Sequence, residues 1–381
     1  MTNEMQDGSG YFLYHSIGMY PGKAETMADA FSGFSQSWGT FDDGQWMRAL
    51  TARQEFLDLW CQMIGAPKET LTSAENVTTA LYSLIGALPE EHLKGRDLLV
   101  AGDCFPSLHF LLAGLAPRLG FNLKTVPLRQ GEDWVRDEDM LAAWDENIGL
   151  ALLTFVTSTA SHRCDLQTLV AHGRQMGSLV GVDITQGVGL LPYRVDETGA
   201  DFTLSTSLKW VCGTPGAGII QVNAPLLKTC QPELRGWFSQ ENIFSWDLDS
   251  FAYAGDARRF DHGTPSVLAC AGSVPALKWN AAQDRSALLA QNRSLGQAII
   301  EGAPALGMEL VSPREESRRG GSIMLRLPEA ADPVLVVNEL RTQGIYTDCR
   351  GRTMRLSPGV ITTSAGVDRL FAGLAGIARA A

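Results

Sequence analysis

Short apolar runs alternate with longer amphipathic segments over much of the chain. Four apolar runs predict β-strands, at residues 96–103, 147–158, 177–184 and 216–223. Between them, residues 107–120 and 165–177 carry apolar side chains at helical spacing. This alternation predicts a mostly parallel sheet with helices on both faces, in which ligands bind beyond the carboxyl ends of the strands.

A different pattern begins near residue 275. Two helical segments are followed by two strand-like segments and a last helix, at 272–283, 285–307, 321–328, 344–358 and 367–381. This order predicts a smaller α+β unit. We therefore expect a large ligand-binding domain at 45–265 and a small C-terminal domain at 266–381. Residues 1–44 would form an N-terminal arm that packs on the small domain or on a partner subunit.

Composition and charge narrow the class of protein. With 45% hydrophobic and 19% charged residues, the 381-residue chain is ordinary for a soluble globular protein. Its 31 basic and 42 acidic residues give a net charge of −11, which argues against nucleic-acid binding. We read no signal peptide and no membrane span. The seven scattered cysteines favour free thiols, the six histidines form no metal-ligand cluster, and we expect a cytoplasmic protein without a metal.

One lysine stands in unusual surroundings. The segment "ADFTLSTSLKWVCGTPGAGII" places Lys209 without a charged neighbour, behind three hydroxyl residues. In "GVDITQG", Asp183 ends an apolar strand, and in "SAENVTTALYSLIGAL", Asn76 opens an apolar helix whose free N–H groups would favour a phosphate.

These three features together match one kind of cofactor chemistry. A desolvated lysine has a lowered pKa and attacks carbonyl groups. Pyridoxal 5'-phosphate (PLP) requires such an amine, an acid at its ring nitrogen and donors for its phosphate. Each feature also has an ordinary explanation, as a surface lysine, a strand-end cap or a helix cap. Spacing alone leaves both interpretations open.

Longer motifs point to a family. "VDITQGVG" together with "GADFTLSTSLKWVCGTPGAGIIQV" resembles the signature of class V aminotransferases, which have fold type I of the PLP enzymes. "DCFPSLHFLLAGL" and "LTFVTSTASHRCDL" are similar to segments that line the cofactor ring. "RRFDHGTPSVLACAGSVPAL" and "RTMRLSP" resemble the R-F-x-x-G-T-P and Arg-x-Ser-Pro segments. The resemblance covers most of the chain and implies an α/β fold, with a mostly parallel sheet sandwiched by helices.

The resemblance implies a role for residues around the cofactor ring. Lys209 would bind the cofactor covalently, and Asp183 would keep its ring nitrogen protonated. Gln186 would donate to the ring phenolate oxygen, and Phe105 would stack on the ring face. Arg355 would bind the substrate α-carboxylate with its planar guanidinium.

A second group of residues would hold the phosphate. Asn76 and the backbone of Val77 would contribute, together with Thr206 or Ser207. Because side chains alternate along a strand, we favour Thr206 over Ser207. Thr264 would reach the phosphate of a neighbouring subunit, which implies a homodimer with shared active sites.

Within the superfamily, the chain resembles the kynureninase branch. Its opening "FLYHSIGMYPG" and the segment "RGWFSQENIFSWD" are similar to that branch. It departs from it at Leu208, where kynureninases have a tyrosine, at Leu108, where they have an acid, and at Thr264, where they have an asparagine. The branch implies a lyase or hydrolase that cleaves a side-chain bond at the β-carbon, and the departures imply an amino acid other than kynurenine.

Other activities stay open from the sequence. The Asp-x-x-Gln of "DITQ" is closer to cysteine desulfurases and epimerases, for which Cys349 would be the candidate nucleophile. An aminotransferase is a second alternative, and a non-catalytic PLP-fold protein a remote one. His109 and His262 lie near active-site segments, and we expect both to be structural.

Overall fold

The computed structural model describes residues 8–380, so residues 1–7 of the expected arm and Ala381 at the end of the predicted last helix lie outside it. Its larger sheet contains β1 (Leu71–Ala74), β2 (Asp97–Ala101), β3 (Asn122–Val126), β4 (Ile148–Thr154), β5 (Leu179–Asp183), β6 (Phe202–Thr206) and β7 (Gly218–Val222). The spatial order is β1-β7-β6-β5-β4-β2-β3. Strands β2 to β6 pair in parallel, whereas β7 is antiparallel to both of its neighbours. The prediction of a mostly parallel sheet is confirmed.

Helices cover both faces of this sheet. They are α1 (Lys23–Trp38), α2 (Gln45–Ile64), α3 (Val77–Ile85), α4 (Pro106–Leu119), α5 (Asp137–Ala143), α6 (Leu166–Met176), α7 (Val195–Thr198), α8 (Ala224–Thr229) and α9 (Val267–Ala281). Strand β4 shows how two cores form, because its side chains alternate between them. Leu150 and Leu152 pack into the core on one face, and Ala151 and Leu153 into the core on the other.

A second, antiparallel sheet lies in the C-terminal part. It contains β8 (Glu309–Leu310), β9 (Ile323–Arg326), β10 (Asp348–Arg350) and β11 (Thr353–Leu356), in the order β10-β11-β9-β8. Its helices are α10 (Arg285–Gly302), α11 (Pro333–Thr342) and α12 (Ser364–Ala380). This is the smaller α+β part expected from the sequence. Helix α9 packs against α1 and α2, on the side of the larger sheet, and the domain boundary at 265/266 stays a prediction.

The N-terminal residues 8–22, here called the N-terminal strap, connect the two sheets. The N–H of Phe12 donates to the carbonyl of Tyr346 (2.9 Å), beside β10. Further along, the N–H of Gly18 donates to the carbonyl of Leu208 (2.9 Å). A side chain at Gly18 would clash, since its Cβ would lie 1.9 Å from the carbonyl oxygen of Lys209. The strap is therefore in direct contact with the backbone that carries Lys209.

Within residues 8–380, no helix combines the length and the apolar character needed to cross a bilayer.

Candidate active site

A cavity of about 230 Å³ lies where β4, β5 and β6 end and α3 begins. It brings together seven of the residues predicted from the sequence, which are Asn76, Val77, Phe105, Asp183, Gln186, Thr206 and Lys209. Five lining residues were given no site role from the sequence, which are Thr78, Thr154, Val156, Ser158 and Thr185. Three predicted residues, Ser207, Thr264 and Arg355, do not line it. The location agrees with the rule that ligands bind beyond the carboxyl ends of parallel strands.

Lys209 follows β6 and lines the cavity. Within residues 8–380 its Nζ forms no ion pair, and it lies 5.2 Å from the centre of the Phe105 ring. The side chain keeps some exposure through the cavity, but protein atoms surround it on most sides. The pKa of Lys209 is lowered to about 8, chiefly by burial and also by the charge of Arg355, while Asp183 acts in the opposite direction. The amine is thus partly neutral near neutral pH.

Asp183 is a buried acid at the end of β5, with 6% of its surface exposed. Its Oδ1 accepts a hydrogen bond from the N–H of Thr185 (2.9 Å). Burial raises the pKa of Asp183, whereas the hydrogen bond from Thr185 and the charge of Lys209 act in the opposite direction. A cationic or protonated ligand atom beside this buried group would stabilise its ionised carboxylate form.

Two hydroxyl groups in the cavity have no hydrogen-bond partner among residues 8–380. They are Thr185 Oγ1 and Thr206 Oγ1, and both are buried. Buried hydroxyls in proteins are normally paired, so these two are available to a polar ligand in the cavity. The neighbouring Ser207 lies on the other side, where its Oγ accepts a hydrogen bond from Trp60 Nε1 (3.2 Å). The alternation of side chains thus brings Thr206 to the cavity and takes Ser207 away from it.

The start of α3 forms one end of the cavity. The side-chain oxygen of Asn76 accepts a hydrogen bond from the N–H of Thr79 (3.0 Å), and therefore caps the helix. Val77 and Thr78 line the cavity, and N–H groups in a first helical turn have no acceptor within the helix. This arrangement suits an anion such as a phosphate.

Gln186 contacts the N-terminal strap. Its Nε2 donates to the backbone carbonyl of His15 (3.0 Å), and its Oε1 accepts from Trp210 Nε1 (3.4 Å). One hydrogen of the Gln186 amide is therefore left for a ligand in the cavity.

Arg355 lies in β11, near enough for its charge to act on Lys209. Its Nε donates to Asp348 Oδ1 (2.8 Å) and its Nη2 to Asp348 Oδ2. His15 Nε2 lies 3.2 Å from the same Asp348 Oδ1. Burial alone would raise the pKa of Asp348, but hydrogen bonds from His15 and Arg355 hold it below the ordinary carboxyl range. Sequence reasoning gave no role to His15 or Asp348.

The remaining candidates from the sequence lie outside the cavity or on its wall. Thr264 is exposed, and its contact with a neighbouring subunit stays a prediction. Leu208 lines the cavity, whereas Leu108 is fully buried in the apolar core. Cys349 lies in β10, and burial raises the pKa of its thiol to about 11.

Comparison with known proteins now identifies the family. The family model described as aminotransferase class-V matches residues 48–370. The chain belongs to this family. A kynureninase from Bacillus anthracis is 26% identical to this class V chain over 370 residues, which cover 93% of the chain and 84% of that relative.

Solved structures show the fold of this class V protein. An apo cysteine desulfurase from Thermococcus onnurineus NA1 superposes with a TM-score of 0.86 at 18% identity, covering 97% of this chain and 95% of that one. A complex of a cystine C–S lyase with cysteine persulfide gives a TM-score of 0.84 at 19% identity, covering 96% and 97%. The class V chain has fold type I.

Class V enzymes are PLP-dependent, and this chain is a PLP-dependent enzyme. The cavity fits the cofactor on its own chemistry. It presents a lysine with a lowered pKa, a buried acid, unpaired hydroxyls and a helix N-terminus. Both ends of the cofactor, its aldehyde and its phosphate, have groups of the right kind in the same cavity.

Proposed function

We propose that this enzyme cleaves a side-chain bond at the β-carbon of an L-amino acid, as a kynureninase-like lyase or hydrolase. The observation that carries the proposal is the unpaired amine of Lys209 in one cavity with Asp183. The relation to kynureninases over 93% of the chain supports the position of the bond that is cleaved.

The proposed roles follow from the chemistry of each group. Lys209 would hold the PLP aldehyde end, and its amine would move the proton at the substrate α-carbon. Asp183 would face the ring nitrogen and favour its protonated form. When bound, PLP supplies an electron sink for the electron pair left on the substrate. The lowered pKa of Lys209 suits both roles, because a neutral amine can attack a carbon or accept a proton.

The rest of the cofactor would be held by groups around the cavity. Thr206 Oγ1 and the N–H groups of the first turn of α3, including that of Val77, would bind the phosphate, with Asn76 shaping that turn. Phe105 would stack on the ring. Gln186 would donate its second amide hydrogen to the phenolate oxygen.

The side chain of Leu208, in the wall of the cavity, limits which substrates we propose. This side chain lines the cavity next to Lys209 and offers neither a donor nor an acceptor. Kynureninases, which this chain resembles, have a tyrosine at this position. We therefore propose an L-amino acid other than kynurenine, with a β-substituent that leaves without help from a hydroxyl group at position 208.

The cysteines disfavour a desulfurase with a nucleophilic thiol. None of the seven cysteines lines the cavity. Burial raises the pKa of every one of them, to about 11 in Cys61, Cys270 and Cys349, to about 12 in Cys104, Cys212 and Cys230, and well above the ordinary thiol value in Cys164. A thiol that attacks sulfur needs a pKa lowered towards neutrality. This favours cleavage without a cysteine nucleophile.

A homodimer is part of the proposal. Thr264 is exposed and lies outside the cavity of its own chain, as expected for a residue that reaches a partner subunit. Large apolar side chains are also exposed, which are Phe41, Met47, Phe244, Trp246 and Leu248. Light scattering of the purified protein should give twice the mass of the 41.2 kDa chain.

The test is a spectral and product assay on the purified holoenzyme. Single L-amino acids are added while the cofactor absorbance is followed, and products are separated by mass spectrometry. We expect one class of amino acid to perturb the band and to release alanine or a cleaved β-fragment. Lys209→Ala should lose the band, and Lys228→Ala, on helix α8, should keep it. If no amino acid yields either product, the proposal is wrong, and conversion to pyridoxamine phosphate would instead identify an aminotransferase.

A further inference from the structure

We propose that His15 and Asp348 are positioning residues that aim the Arg355 guanidinium at the substrate α-carboxylate. This inference rests on the proposed role of Arg355 in binding that carboxylate. It assigns a function to the N-terminal strap, which the sequence suggested only as an arm.

The first observation is the way Arg355 is held. Its side chain is 9% exposed, and Asp348 lies directly opposite it in the β10–β11 pair. Asp348 occupies the edge formed by Nε and Nη2, whereas Nη1 has no acceptor within residues 8–380. A guanidinium held by a fork on one edge keeps a fixed plane and presents its remaining N–H groups in one direction.

The second observation is a line of buried polar groups behind Asp348, in which His15 Nε2 lies close to the carboxylate and Nδ1 is hydrogen-bonded to Ser357. His15 is 2% exposed, with Nε2 3.2 Å from Asp348 Oδ1 and Nδ1 2.7 Å from Ser357 Oγ. Because a carboxylate only accepts, a neutral His15 with its proton on Nε2 suits this position, and Nδ1 would then accept from Ser357. Ser322 Oγ, 2.6 Å from Ser357 Oγ, completes the line. Burial lowers the pKa of His15, which favours this neutral form.

The third observation joins this line of groups to the cofactor side of the site. The backbone carbonyl of His15 accepts the hydrogen bond from Gln186. Three residues later, Gly18 bonds to Leu208 and contacts the backbone of Lys209. One short segment therefore fixes both the group proposed for the substrate carboxylate and a group proposed for the cofactor ring.

The inference predicts a specific loss of carboxylate recognition. Asp348→Asn keeps the shape but can no longer accept two N–H groups in a fork, so the guanidinium turns away. His15→Ala removes the ring nitrogen that lies 3.2 Å from Asp348 Oδ1, and His15→Gln places an amide donor there again. We expect the first two variants to weaken binding of an amino acid about tenfold, because one charge-assisted hydrogen bond is lost. Binding of the same ligand without the carboxylate charge should not change.

The experiment uses the holoenzyme with L-alanine and L-alaninamide as probes, and the cofactor absorbance as the readout. The dissociation constant of L-alaninamide divided by that of L-alanine measures carboxylate recognition. We expect this ratio to fall about tenfold in Asp348→Asn and His15→Ala and to recover in His15→Gln. Asp133→Asn is the matched control, because it removes the carboxylate from Arg326 in β9 of the same sheet. It should leave the ratio unchanged.

The outcomes separate this inference from the proposed function. Suppose that Arg355→Gln lowers the ratio strongly while Asp348→Asn and His15→Ala leave it at the wild-type value. In that case His15 and Asp348 have no positioning role, but Arg355 still binds the carboxylate. If Arg355→Gln leaves the ratio at the wild-type value, Arg355 does not bind the carboxylate, and the proposed role of Arg355 itself is wrong. Equal weakening of both probes would mean a structural role only. Should Asp348→Asn fail to fold, the His15→Ala and His15→Gln pair carries the test.

Discussion

The amine of Lys209 should be far more reactive at neutral pH than a lysine in water. Its pKa is lowered from 10.5 to about 8. At pH 7 this shift raises the neutral fraction of the amine by about 300-fold. Burial is the largest cause, and the charge of Arg355 adds to it, while Asp183 works against both.

Acylation of the cofactor-free enzyme measures this directly. The protein is labelled with a trace of acetic anhydride at a series of pH values, and the peptide that contains Lys209 is quantified by mass spectrometry. We expect labelling to rise with pH and to level off above a midpoint near 8. The same peptide labelled in the denatured protein is the control, with a midpoint near 10.5.

Two further results bear on the causes of the shift. Arg355→Gln removes a cationic neighbour, so the midpoint of Lys209 should move upward. It should stay well below 10.5, because burial is unchanged. A midpoint at or above pH 10 in the wild-type enzyme would refute the reasoning, since the amine would then be as hydrated as in the unfolded chain.

Other predictions concern stability and thiol chemistry. Gly18→Ala should destabilise the fold by about 1–3 kcal/mol in urea unfolding and displace Lys209, whereas Gly33→Ala, with open space around it, should stabilise by about 0.5–1 kcal/mol. Burial lowers the pKa of His162 from 6.5 to about 4 in the folded protein. As the pH falls from 6.5 towards 4, His162 therefore takes up a proton in the unfolded state before it does so in the folded state, and the free energy of unfolding decreases. The free energy of unfolding should drop by about 2 kcal/mol between pH 7 and 5 from this group, and His162→Gln should lack that part. Cys349→Ser should keep turnover within about twofold, and iodoacetamide at pH 7.5 should leave the native thiol unlabelled; a dead variant would revive the nucleophile hypothesis.

Much of the sheet and part of the site could be predicted because their signals are local. An apolar run that ends in Asp183 places that acid at a strand end, and the alternation of side chains separates Thr206 from Ser207. Both inferences need only a few neighbouring residues and the geometry of a strand.

The rest depends on contacts that no local pattern contains. His15 and Ser357 are 342 positions apart in the chain, and nothing near either residue indicates the other. Leu108 lies in a segment that resembles a cofactor-lining one, yet its side chain turns into the core. Thr264 depends on a second subunit, which a single chain cannot reveal.

The contact between His15 of the strap and Ser357, the residue after β11, has a consequence for biosynthesis. A ribosome makes His15 long before Ser357, which follows 342 positions later, so His15 must wait for this partner. Such a long loop closure slows folding and leaves the unclosed pocket open to water in nascent chains. Coenzyme capture should therefore be a late event, and truncated products that end before position 357 should remain colourless.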